Sequence, residues 1–216
     1  MAPSQRYILS VIGPHSGCGK SLFVLHLLRH IHGLGCLKIS PTYEWPGSIH
    51  EFKEGAGPDF QFEDRACLSC AGKDTAAYLA AGAAHVERLR HRANGLAAGL
   101  GVALDRFRPQ MPIVVESSSA VPLLRPAVVV LIVRPPLREM KPATHDVLSM
   151  VTDLLMNVSG HAVRPTAGVD GLLDAYEQIR PRFIWSADLS CEPPPAQMLH
   201  RVRETLEAAR GGHRDS

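Results

Sequence analysis

The chain has 216 residues, enough for one α/β domain with a well-filled core, and its 45% hydrophobic and 20% charged content argues against wholesale disorder and against a coiled-coil rod. Its 23 basic and 21 acidic residues leave a net charge of +2, too balanced for a broad nucleic-acid-binding face. The longest apolar run, Ala127 to Val133, is a strand's length and far short of the ~20 residues that cross a bilayer.

From the N-terminus, Tyr7 to Ile12 is a short β-prone run with no secretory pattern around it, so a cytoplasmic location is expected. Gly13 stops that run, and Ser21 to His30 then repeats apolar residues at helical spacing: strand, glycine loop, helix. A second strand is expected at Cys36 to Ile39. Pro41 to Asp64, rich in proline, glycine and acids with no period, reads as a long functional loop, followed by Cys67 and Cys70; together they form an insertion at about 41–72 in a single domain spanning 1–216. Lys73 to Ala83 is alanine-rich and helical in pattern, and His85 to Arg92 alternates weakly enough for a strand. Its basic run from Glu87 to Arg92 suggests a solvated face.

Asn94 is placed to cap a helix running to about Arg106. Pro112 to Glu116 and Ala127 to Val133 read as buried central strands of a parallel sheet. A helix over Thr144 to Val151, a strand over Asp153 to Asn157, a helix over Asp170 to Ile179, a strand at Phe183 to Trp185 and an amphipathic helix over Ala196 to Arg210 complete the chain. This alternation predicts a three-layer α/β fold with a mostly parallel central sheet.

The segment Gly13-Pro-His-Ser-Gly-Cys-Gly-Lys-Ser21 lies directly after a strand and before a helix, the context in which such a pattern signals a P-loop NTPase. Glycines at 17 and 19 let successive backbone N–H groups converge on phosphate oxygens, and the following helix N-terminus adds a favourable dipole. Lys20 would neutralise the β/γ-phosphates and the Ser21 hydroxyl would ligate Mg²⁺. The spacing is irregular: the usual first glycine would fall at position 14, which is Pro14, while Gly13 lies one residue early. The residues expected at the nucleotide are Gly13, His15, Ser16, Gly17, Cys18, Gly19, Lys20, Ser21 and Leu22.

Three segments resemble the molybdopterin-guanine dinucleotide biosynthesis protein B (MobB) family of GTP-binding proteins. Ser16-Gly-Cys-Gly-Lys-Ser21 is similar to its Ser-Gly-x-Gly-Lys-Thr, Leu37-Lys-Ile39 stands where the family has Ile-Lys-His, and Lys73-Asp-Thr75 with Ala81-Gly-Ala83 is similar to its Lys-Asp-Ser/Thr and Ala-Gly-Ala helix. The resemblance covers the first half of the chain and implies GTP in preference to ATP and a role in molybdenum or other metal-cofactor maturation, with a metal-cofactor enzyme as partner. The chain departs from the family after Lys38, where the histidine-rich segment is missing, and after Glu116, where serines replace glycine. Farther on, Asp153 to Asn157 and Trp185-Ser-Ala187 resemble degenerate forms of the guanine-reading segments of GTPases; Val158 and Gly160 stand where their lysine and aspartate would be. Asn157 is thus either a base contact or a polar strand-end residue.

Glu116 ends an apolar strand, where an acid can hold Mg²⁺ or orient a water, and Asp74 could approach the metal or the γ-phosphate or serve as a helix N-terminal charge. Lys20, Glu116 and Asp74 are the catalytic candidates. Cys67-Leu-Ser-Cys70 has the spacing of half a tetrahedral Zn²⁺ or iron–sulfur site, completed within the fold or across a homodimer axis, or of a redox pair, or of two unligated thiols. His26 and His30, one turn apart, suit the outer face of a helix better than a metal pair, and Ser117 to Ser119 suits a polar loop near the phosphates. The expectation is slow Mg²⁺-dependent nucleotide hydrolysis, with a small-molecule kinase or a nucleotide-controlled metal chaperone as alternatives.

Overall fold

A computed structural model describes residues 7–41, 59–136, 140–158 and 171–211. An eight-stranded sheet carries the fold, built from β1 (Ile8–Ile12), β2 (Gly35–Pro41), β3 (Phe60–Phe62), β4 (His85–His91), β5 (Ile113–Glu116), β6 (Val128–Val133), β7 (Asp153–Asn157) and β8 (Phe183–Ala187). Their spatial order is β3-β4-β2-β5-β1-β6-β7-β8. Every pairing is parallel except β3 with β4, so β3 is an antiparallel edge.

The helices are α1 (Lys20–His30), α2 (Arg65–Leu68), α3 (Asp74–Ala80), α4 (Leu96–Asp105), α5 (Val121–Leu124), α6 (Pro142–His145), α7, described over 171–175, and α8 (Ala196–Gly211). Alternate residues of each strand face opposite sides. Leu9, Val11, Val114, Val130, Ile132 and Leu155 pack under α1, α3 and α8. The opposite side is covered in two patches, Ile8, Leu37, Ile113 and Val115 under α4, and Ile12, Leu131, Val133 and Met156 under α5 to α7. This helix–sheet–helix arrangement explains the unbroken apolar runs of β5 and β6, which are buried on both faces.

Among the described residues no helix is long and apolar enough to cross a membrane. Four local expectations are corrected. Part of the 41–64 stretch is a strand, β3, whose Phe60 and Phe62 pack on the core beside α4; residues 42–58 lie outside the described residues. The basic run at 87–92 is not a solvated face: Glu87 is buried in β4 and held by His85 at 2.9 Å and Arg106 at 3.1 Å, and His91 is buried too. Asn94 does not cap α4; it lies in a 3₁₀ turn, Ala93–Gly95, and the N-cap is Gly95. The 144–151 helix is two short pieces, α6 and a 3₁₀ turn at Leu148–Met150, because the helix opened by Pro142 ends at Asp146.

Candidate functional site

The carboxyl ends of β1, β5, β2 and β4 border one cleft of about 550 Å³, where ligand crevices of parallel sheets lie. One wall is the loop between β1 and α1, including Gly13, Ser16, Gly17, Gly19, Lys20 and Ser21. Gly17 (φ 79°) and Gly19 (φ 110°) take the left-handed backbone that L-residues avoid, and the Gly19 carbonyl accepts the first helical bond of α1, from Phe23 at 2.9 Å. A side chain on Gly13 would meet Cys18 Sγ at 2.4 Å, so the early glycine makes room for a fully buried cysteine folded back beneath the loop. Pro14, in the usual glycine position, accepts from the Lys141 amide at 3.0 Å.

Lys20 turns back across the loop and donates to the His15 carbonyl at 2.8 Å. His15 is partly buried, while Ser16 and Leu22 are exposed. Ser21 Oγ lies 3.4 Å from both oxygens of Glu116, which is 6% exposed at the end of β5. Lys38, in the middle of β2, donates to Asp74 and reaches Glu116 at 3.3 Å; Tyr78 of α3 also donates to Glu116. Burial first, then the Glu116 charge, pushes the Tyr78 phenol far above its usual value, so it stays a neutral donor. The same two causes raise the Cys36 thiol.

The three sequence-predicted catalytic residues therefore share this cleft, with Lys38 joining the two acids and Tyr78 donating to Glu116 alone. Sequence reasoning assigned Lys38 only to a family-like strand and gave Tyr78 no role. A lysine at the centre of the apolar triad Leu37-Lys-Ile39 was the available signal. Thr144 was missed as well: its hydroxyl donates to the Gly13 carbonyl at 2.9 Å and meets Ser118 Oγ at 2.8 Å, which ties the serine loop to the β1–α1 loop.

Asn157 has a different place from the one expected of a base contact. It is 5% exposed; its amide nitrogen donates to the Cys18 carbonyl at 3.0 Å and its oxygen accepts from Leu189 N at 3.1 Å. A Cβ on Gly19 would lie 2.3 Å from the same amide nitrogen. Asn157 is a brace under the loop. His26 also faces inward, its Nε2 3.0 Å from the Leu189 carbonyl, which corrects its placement on an outer face; His30 is exposed.

Compared with models of protein families and with curated proteins, the chain matches none.

Cys67 and Cys70 stand apart from this loop, around the end of α2. Lys73 Nζ lies 2.7 Å from Cys67 Sγ and 3.1 Å from Glu63, whose other oxygen meets Arg88 at 3.3 Å. The Cys67 contact, then Glu63, raises the Lys73 pKa. Burial works to raise the Glu63 carboxyl, but the Lys73 hydrogen bond and the Arg88 and Lys73 charges outweigh it and hold the group below its ordinary value. Among the described residues no three His, Cys, Asp or Glu side chains group to hold a metal ion.

Proposed function

We propose that the cleft binds a nucleoside triphosphate with Mg²⁺ and hydrolyses it slowly, as a P-loop NTPase. One observation carries the reading: the 13–21 loop joins a buried strand to an eleven-residue helix through two left-handed glycines, with its lysine folded across the loop and its serine beside a strand-end carboxylate. The loop amides and the α1 N-terminus suit phosphate oxygens, and Lys20 would exchange the His15 carbonyl for them. Ser21 and Glu116 supply the hard oxygen donors that Mg²⁺ prefers, and when bound the ion would offset charge on the β- and γ-oxygens. Lys38 adds a second ammonium group, and Glu116, through Lys38, Tyr78 and Ser21, is held ready to orient a water. Asp74 acts through Lys38.

Guanine preference and a role in molybdenum or other metal-cofactor maturation rest on the resemblance to the MobB family, carried by the phosphate loop, Lys38, and the 73–75 and 81–83 segments. Calorimetric titration with GTP and ATP in the presence of Mg²⁺ tests the reading: GTP is expected to bind more tightly than ATP, and Lys20→Ala to abolish most of the affinity. Absence of binding by both nucleotides would overturn it.

A second reading, phosphoryl transfer to a small acceptor, is favoured by the far end of the cleft. There His91 is 5% exposed, its Nδ1 lies 2.8 Å from the Arg92 carbonyl, and its Nε2 has no hydrogen-bond partner among the described residues. With the proton on Nδ1, Nε2 is an acceptor that no described group uses, and because it is shielded from solvent a shift of the ring would be needed to offer it to an acceptor hydroxyl. Release of nucleoside diphosphate that requires an added acceptor would select this reading, and release of free phosphate without one the first.

A further inference from the structure

The group around Cys67 plays no part in the cleft chemistry, yet its geometry is specific. Asp64 caps α2 by accepting from Cys67 N at 2.7 Å, and Cys70 N donates to the Cys67 carbonyl at 3.3 Å, closing the four-residue turn Cys67-Leu-Ser-Cys70. Such an i to i+3 turn keeps its end Cα atoms within roughly 7 Å, and disulfides span Cα separations of about 4.4–6.8 Å. Both thiols are free, Cys70 exposed and Cys67 partly so, whereas Cys18 and Cys36 are fully buried.

Direct contact with an ammonium group singles out Cys67 as the attacking sulfur. Lys73 and Arg88 bring two positive charges to this group, and the carboxylates of Glu63 and Asp64 bring two negative ones. The Lys73 ammonium points at Cys67 Sγ from 2.7 Å, fixed by its second bond to the Glu63 carboxylate. An ammonium so placed stabilises negative charge on sulfur, the form that attacks a disulfide.

We infer that Cys67 and Cys70 form a dithiol that exchanges with small-molecule disulfides, Cys67 attacking and Cys70 resolving. The Cys67 sulfur displaces one thiolate from the small disulfide RSSR, giving a mixed disulfide and RSH once the leaving group takes a proton. Cys70 then attacks the Cys67 sulfur and releases the second RSH. Two protein thiols are oxidised to one disulfide while RSSR is reduced to two thiols, so electrons and protons balance. The inference is independent of the nucleotide reading, since it uses no residue of the phosphate loop.

The test is incubation of the full chain in glutathione and glutathione disulfide mixtures, followed by acid quenching, alkylation and peptide mass analysis. The expected product is an intramolecular Cys67–Cys70 disulfide. Cys70→Ser should trap glutathione on Cys67, and Lys73→Met should slow formation of the mixed disulfide by roughly tenfold. Three results would overturn the inference: both cysteines alkylated as thiols throughout the titration, glutathione trapped on Cys70 or Cys191 but not on Cys67, or thiols that react only after a chelator strips stoichiometric zinc. An unchanged rate in Lys73→Met would remove the lysine from the account.

Discussion

Two acids in this molecule have similar partners and opposite surroundings. Asp153, at the start of β7, is fully buried; Arg201 of α8 meets it through Nε at 3.1 Å and Nη2 at 3.0 Å, Trp185 Nε1 donates at 3.1 Å and the Thr152 hydroxyl at 2.7 Å. Glu116, at the finish of β5, is nearly as buried but opens on the cleft, and its contacts to Ser21 and Lys38 are long, at 3.3–3.5 Å. A carboxylate saturated by short bonds, at the end of the sheet away from the β1–α1 loop, fastens a helix. One anchored by a buried tyrosine from inside the fold but held loosely by a lysine and a serine on its cleft side, beside a glycine loop, can exchange those two partners when a charged ligand arrives.

This contrast can be broken at either acid. The largest effect is expected from Arg201→Met, which leaves Asp153 charged and buried without its ion pair: chemical denaturation should show a loss of about 3–5 kcal/mol, with the nucleotide affinity of the folded fraction unchanged. Next, Lys20→Ala should weaken nucleotide binding by roughly 100-fold, or about 2.7 kcal/mol, with stability nearly intact, as read by calorimetry. Asn157→Ala links the two classes. It strips partners from the buried Cys18 carbonyl and Leu189 amide, so it should cost about 1–3 kcal/mol of stability and also loosen nucleotide binding severalfold.

The smallest effect is expected at Glu63, and it concerns pH. Its carboxyl titrates below the ordinary range in the folded chain, so it stabilises the fold at pH values above the unfolded carboxyl's pKa, and that contribution fades as the pH falls through the lowered folded value. Glu63→Gln should therefore be less sensitive than the parent protein to acid in the carboxylate range, measured as melting temperature against pH. Equal sensitivity of the two would show that Lys73 and Arg88 do not hold the carboxylate.

How much of this could be read in advance depended on whether the deciding partners were local. β5, β6 and β7 were legible because a strand buried on both faces needs a continuous apolar run, whatever lies beside it, with polar residues only at the ends in β5 and β7. The turn from β1 into α1 was legible because the glycines, lysine and serine that mark it lie within nine consecutive residues. β4 showed only weakly because Glu87 is neutralised from α4's end by Arg106, a pairing no window on the strand contains. β3 was hidden because three residues inside a proline- and glycine-rich stretch carry no period. The misplaced glycine was the clearest lesson: Gly13 is set by the Cys18 sulfur beneath it, a packing fact absent from the spacing rule. The choice between a base contact and a polar strand-end residue at Asn157 could not be made locally, because its partners, Cys18 and Leu189, lie 139 and 32 residues away in sequence.

The brace beneath the loop has a consequence for the chain as a whole. Because β7 supplies the amide that supports Cys18, and the same amide grips the segment leaving β8, occupancy of the N-terminal cradle should be felt some 170 residues downstream. Deuterium uptake at the Leu189 amide would report it, slowing when triphosphate is added, and a fragment ending before β7 would carry every residue of the loop without its support.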